Sequence, residues 1–170
     1  DAGATWASRS AGLAGSVRVL AIDPANPGRI YAGTSGGGVY LSPDRGATWV
    51  PRRTGLTNTD VWALAIDPVT PTTLYVGTIG GGVFRSTDSS ATWASRSTGL
   101  TNAIVWALAI DPVIAGTLYA GTDGGIFRTT DGGATWAPRG ASVSSQVRGL
   151  AIDPAAPTTI RSSFSTSRCV

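Results

Sequence analysis

Lysine, glutamate, histidine and methionine are all absent from this chain, so its 13 basic residues are all Arg and its 10 acidic residues are all Asp. Losing Lys, Glu and Met removes most strong helix formers, while 23 Gly and 6 Trp stand among many Thr, Val and Ile residues. Such a composition favours short strands joined by tight turns, and it predicts almost no helix. The missing His, Lys and Glu also take away the usual general bases and activated nucleophiles. A lone Cys169 excludes an intrachain disulfide and, with no His or second Cys, a zinc site; no metal and no cofactor are expected. No apolar run approaches the ~20 residues that span a bilayer, and no basic-then-apolar leader is present. Because the chain opens on Asp1 rather than Met, we read it as a processed product or an excerpt, with a secreted, periplasmic or cell-surface location. The net charge is +3 and the pI near 9.6, but the Arg residues are spread along the chain instead of forming one basic run, which argues against nucleic acid as the partner.

What is present is a repeat. Trp6, Trp49, Trp93 and Trp136 lie 43, 44 and 43 residues apart, and the Asp of a recurring AIDP falls at 23, 67, 111 and 153. Within one period, four strand-like segments follow one another: VWALAID, TLYVGT, GVFRS and TWASR, separated by PVTP, a glycine turn and TDSSA. Each alternates β-branched or aromatic residues with small or polar ones. Four antiparallel strands in about 43 residues is the size of a propeller blade, which buries its two faces only by stacking on copies of itself. The fold class is therefore all-β: a β-propeller of about four four-stranded antiparallel blades, with VWALAID innermost because it is the most apolar. The chain reads as one domain over residues 1–170, with units near 17–53, 61–97 and 105–139 and a split unit of 147–170 plus 1–9. Pairing the N-terminal strand into the C-terminal blade would close the ring and hide sheet edges; the alternative is a fragment of a larger propeller of about six to eight blades. In the closing unit Arg161 falls where Tyr31, Tyr75 and Tyr119 sit, and the tail 160–170 with Cys169 reads as a divergent cap, a disordered end or a truncation scar.

The segments SPDRGATW (42–49), STDSSATW (86–93) and TTDGGATW (129–136), with the opening DAGATW, resemble the Asp-box, or BNR, repeat. In this pattern Asp44, Asp88 and Asp131 fold back to accept hydrogen bonds from their own turns, alongside Thr48, Thr92 and Thr135. Trp49, Trp93 and Trp136 are expected to pack between blades. Ser90 replaces the turn glycine, so that hairpin should be strained or different. The resemblance implies that the box is a folding device on the outer side, away from the ligand face. Asp-box propellers include sialidases, xyloglucan-cleaving glycosidases, sortilin-type receptors and the photosystem assembly factor Ycf48, and the phrasing of these repeats looks most like bacterial secreted or glycosidase-like proteins. A sialidase would bring a Tyr nucleophile assisted by Glu, and this chain has no Glu.

Other motifs read as structural. Asp23, Asp67, Asp111 and Asp153 end a strand and cap the turn that Pro or its neighbour begins; a calcium role would need several convergent oxygens. The glycine runs are hairpin turns, since no Lys and no helix pattern follows them. Arg9, Arg52, Arg96 and Arg139, each three residues after a box Trp, are expected on the opposite face of the outermost strand, where charge discourages edge pairing.

Function is sought where the units differ. At the start of the innermost strand the equivalent positions read Arg18, Trp62, Trp106 and Arg148, and Asp60 and Asp123 are the free carboxylates nearby. Two readings stand for the Trp pair: packing between blades, or lining a mouth with the two Arg. In the second, Trp stacks on sugar rings and Arg gives forked hydrogen bonds to carboxylate or hydroxyl groups. We therefore expect a noncatalytic module binding a glycan or a protein surface. The alternatives are a glycoside hydrolase using Asp60 and Asp123, or a structural segment of a longer surface protein, and a second copy completing a larger ring is a further partner.

Overall fold

The computed structural model describes residues 7–140, 146–153 and 156–165, and among them there is no helix. The first sheet contains β1 (Ser16–Ile22), β2 (Ile30–Ser35), β3 (Gly38–Ser42) and β4 (Val50–Pro51), in that order. The second repeats it with β5 (Val61–Ile66), β6 (Leu74–Thr78), β7 (Gly82–Ser86) and β8 (Ala94–Ser95). The third has β9 (Val105–Ile110), β10 (Leu118–Thr122), β11 (Gly125–Thr129) and β12 (Ala137–Pro138). A fourth pairs β13 (Gln146–Asp153) with β14 (Ala156–Ser165). All pairings are antiparallel between chain neighbours. The outer strand is shorter than its sequence pattern suggests, because the box turn takes the Thr and Trp that precede it.

β1 packs on β5, β5 on β9 and β9 on β13, so the VWALAID segments stand side by side as the inner wall. Between the first two blades, Tyr31 and Leu41 from one sheet meet Leu64, Leu74, Val76 and Phe84 from the next. Tyr75 and Val83 meet Val105, Leu118 and Phe127 at the following junction. Each such side chain leaving water contributes about 1.5–3 kcal/mol, which a single four-stranded sheet could not collect on both faces. Contact is close enough to dictate one residue type: a Cβ on Gly77 would lie 2.5 Å from Cγ1 of Val105 in the next blade.

The register confirms the position of Arg161. It opposes Ala151 as Tyr31, Tyr75 and Tyr119 oppose Ala21, Ala65 and Ala109. The ring-closing strand expected over residues 1–9 lies largely outside the described residues, as do residues 166–170 with Cys169. Residues 7–10 form no strand; Leu13 instead packs against Ala32, Tyr40 and Trp49 of the first blade.

Candidate functional site

The three complete Asp boxes share one network. In the first, the Asp44 carboxylate accepts from the Thr48 amide at 2.8 Å and the Thr48 hydroxyl at 2.6 Å, and Ser42 Oγ accepts from the Gly46 amide at 2.7 Å. Asp88 and Asp131 repeat the pattern with Thr92 and Thr135, whose hydroxyls lie 2.5 Å away. The Thr48 hydroxyl, then its amide, holds the Asp44 carboxyl down to about 2, and Thr92 does the same for Asp88. For Asp131 the Thr129 hydroxyl contributes most, followed by Thr135, again lowering it to about 2. These carboxylates are fully engaged in their own turns.

Each box Trp is buried and pinned to the preceding turn of the array. Trp93 Nε1 donates to the Arg52 carbonyl at 3.0 Å, Trp136 to that of Arg96 at 2.8 Å, and Trp49 to that of Arg9 at 2.8 Å. Trp93 and Trp136 thus pack between blades, while Trp49 packs on Leu13, Ala32 and Tyr40, and all three carry a hydrogen bond that the sequence pattern did not reveal. Ser90 keeps the backbone of the glycine it replaces, at φ 70° against 85° for Gly46 and Gly133. The AIDP motif folds as read: Asp23 accepts from Ala25 and Asn26, Asp67 from Val69 and Thr70, and Asp111 from Val113 and Ile114. Asp153 ends β13. Among the described residues no three of Asp, Cys, His or Glu form a metal-holding group.

Arg18, Trp62, Trp106 and Arg148 come together in one row. The Arg18 guanidinium lies 4.3 Å from the centre of the Trp62 ring, Trp62 meets Trp106 edge to face at 5.0 Å, and Arg148 lies 4.4 Å from the Trp106 ring. The two indoles are half-buried and the two Arg exposed, so these Trp residues are not part of the inter-blade cores. Their placement has a backbone cause. In every unit the inner strand shifts register across this residue, between Val17 and Val19, Val61 and Ala63, Val105 and Ala107, and Val147 and Gly149. A β-bulge leaves its extra residue unpaired and re-aims the side chain, so four equivalent bulges point four side chains toward one another.

Asp60 and Asp123 hold this row from behind. Asp60 accepts from Trp62 Nε1 at 3.0 Å and Asp123 from Trp106 Nε1 at 2.5 Å. Sequence reasoning missed Gln146, whose Oε1 accepts from Nε and Nη2 of Arg148 at 3.1 and 2.9 Å. As the chain's single Gln, two residues before a varied position, it was open to notice.

The scan against family models gives no match. No curated protein matches either. Solved structures do match. An ancestral GH74 enzyme superposes with a TM-score of 0.72 at 18% identity, over 90% of this chain and 23% of its own. GH74 from Niastella koreensis gives 0.72 at 23% identity, over 88% of this chain and 26% of its own. YCF48 bound to D1 peptide gives 0.65 at 16% identity, over 84% and 46%. These proteins are β-propellers, and the fold of this chain is the all-β propeller type. The chain spans about a quarter of the GH74 enzymes and under half of YCF48.

Proposed function

We propose that this chain is a noncatalytic binding or assembly module that recognises a glycan or a protein surface with the row Arg18, Trp62, Trp106 and Arg148 at the propeller mouth. The observation carrying this reading is that the four positions vary while the surrounding scaffold repeats, yet the bulges bring them into one contiguous surface. Similar propellers include enzymes and a peptide-bound protein, so the fold leaves the choice to this site. Asp60 and Asp123 each accept a hydrogen bond from an indole that stacks in the row, a positioning duty that counts against the pair acting as free acid and base. A secreted, periplasmic or cell-surface location accords with a glycan ligand.

A glycan array probed with the wild-type chain and with Trp62→Ala plus Trp106→Ala tests the proposal, with circular dichroism confirming that the variant folds. Signal lost in the folded double variant supports a glycan-binding mouth; a copurifying protein released by the same change supports the assembly form. Polysaccharide hydrolysis abolished by Asp60→Asn or Asp123→Asn would instead establish the glycosidase. A second copy of the chain as partner is supported by the first blade: Val17 is 43% exposed where Val61, Val105 and Val147 are fully buried against a preceding sheet. Sedimentation of the intact chain at increasing concentration tests that pairing.

A further inference from the structure

Building on the mouth as the binding surface, we infer that its ligand is an acidic oligosaccharide, with carboxylate groups on its sugar rings, and that Arg18 and Arg148 select it. The Trp residues alone would suggest a neutral sugar stacked on a bare indole, but neither indole is bare. One flank of Trp62 carries the Arg18 guanidinium at 4.3 Å and one flank of Trp106 carries that of Arg148 at 4.4 Å. Between them the two rings meet at 88° with centroids 5.0 Å apart. A neutral ring stacked on either of the faces that carry a guanidinium would have to displace that cation.

The hydrogen-bonding groups point the same way. Indole nitrogen is a donor with one hydrogen, and both are engaged by Asp60 and Asp123. A guanidinium lying on an aromatic face keeps its N–H groups in its own plane, directed outward as a fork that fits a carboxylate. Arg18 gives none of these to a described residue, and Arg148 gives two to Gln146, which holds its plane and leaves the remaining N–H groups to a ligand. Among the described residues neither Arg has an ionic partner, the one ion pair there being Arg29 with Asp23, at 3.8 Å.

The row therefore presents two guanidinium groups, that of Arg148 held by Gln146, separated by indoles whose N–H groups are already engaged. The C–H faces of sugar rings suit that middle stretch, whereas the carbonyls of a peptide backbone laid across it would find no free donor there. Carboxylates on rings at either end would meet the two Arg.

Isothermal titration with oligogalacturonate, a neutral cello-oligosaccharide and an oligo-aspartate peptide tests this. Binding of oligogalacturonate is expected to weaken about tenfold or more in Arg18→Gln and in Arg148→Gln, both exposed positions, and to fall with added salt. Neutral glycan bound as tightly as the acidic one, or oligogalacturonate binding untouched by either Arg variant, would overturn the inference. Tighter binding of the peptide would overturn it too. In those cases loss of binding in Trp62→Ala plus Trp106→Ala would show that the mouth still binds. If no probe and no arrayed glycan is lost in that double variant, the reading of the mouth itself fails.

Discussion

Ser90 holds a left-handed backbone, φ 70°, inside a buried turn, and its hydroxyl has no hydrogen-bond partner. Its counterparts Gly46 and Gly133 reach the same conformation without a Cβ. Ser90→Gly should therefore raise stability by about 1 kcal/mol, read as a higher urea midpoint at unchanged slope. The substitution of Gly by Ser was plain in the sequence, and a strained or a different turn was expected from it; the structure keeps the turn's shape, with Ser89 at φ 58° matching Arg45 at 59°. The three box carboxylates carry a pH signature. Their ordinary value of 3.8 drops to about 2 in the fold, so on acidification the unfolded chain takes up protons first. Their stabilisation is complete above about pH 4 and is lost as pH falls from there through about 2. Urea midpoints at about pH 5 and about pH 2.5 should differ strongly in the wild type, and less in Asp88→Asn.

Each blade is fastened to its neighbour by one Trp and one carbonyl. Trp93 and Trp136 are 5% exposed and bridge to Arg52 and Arg96 in the unit before. Trp93→Ala or Trp136→Ala should cost about 3–5 kcal/mol, while Trp→Phe at the same positions keeps part of the packing and loses the hydrogen bond. Thermal unfolding of the four variants checks both. At this scale the sequence was readable: Trp and AIDP spacing and strand alternation matched the three four-stranded sheets. The bulges were not readable. Arg18, Trp62, Trp106 and Arg148 each lie in an alternating apolar strand, and only the register with β2, β6, β10 and β14 shows that each is the unpaired extra residue. Nor did the sequence show that the Asp nearest each Trp would take its indole N–H, since Asp60 precedes Trp62 while Asp123 comes from the turn after β10.

Across the whole array, equivalent residues live in different surroundings according to their place. Leu20 is 58% exposed and Ile22 60%, whereas Leu64, at the same point of the second blade, is 8% exposed. Leu64→Asp should place a carboxylate in the core and cost upwards of about 4 kcal/mol; Leu20→Asp should change monomer stability by less than about 1 kcal/mol. Urea titration at low concentration measures both, and a concentration-dependent effect at Leu20 alone would mark a covered face. Period and composition predicted the stacked array, and comparing the units named the four residues of the row; the bulges that bring them together came only from the register. The most direct test of that mouth follows the six indole N–H resonances of the 15N-labelled chain as a ligand found on the glycan array is added. The account predicts that the signals of Trp62 and Trp106 shift together while those of Trp49, Trp93 and Trp136 stay in place. Saturating ligand that leaves Trp62 and Trp106 unmoved, or that shifts the box indoles instead, would contradict it.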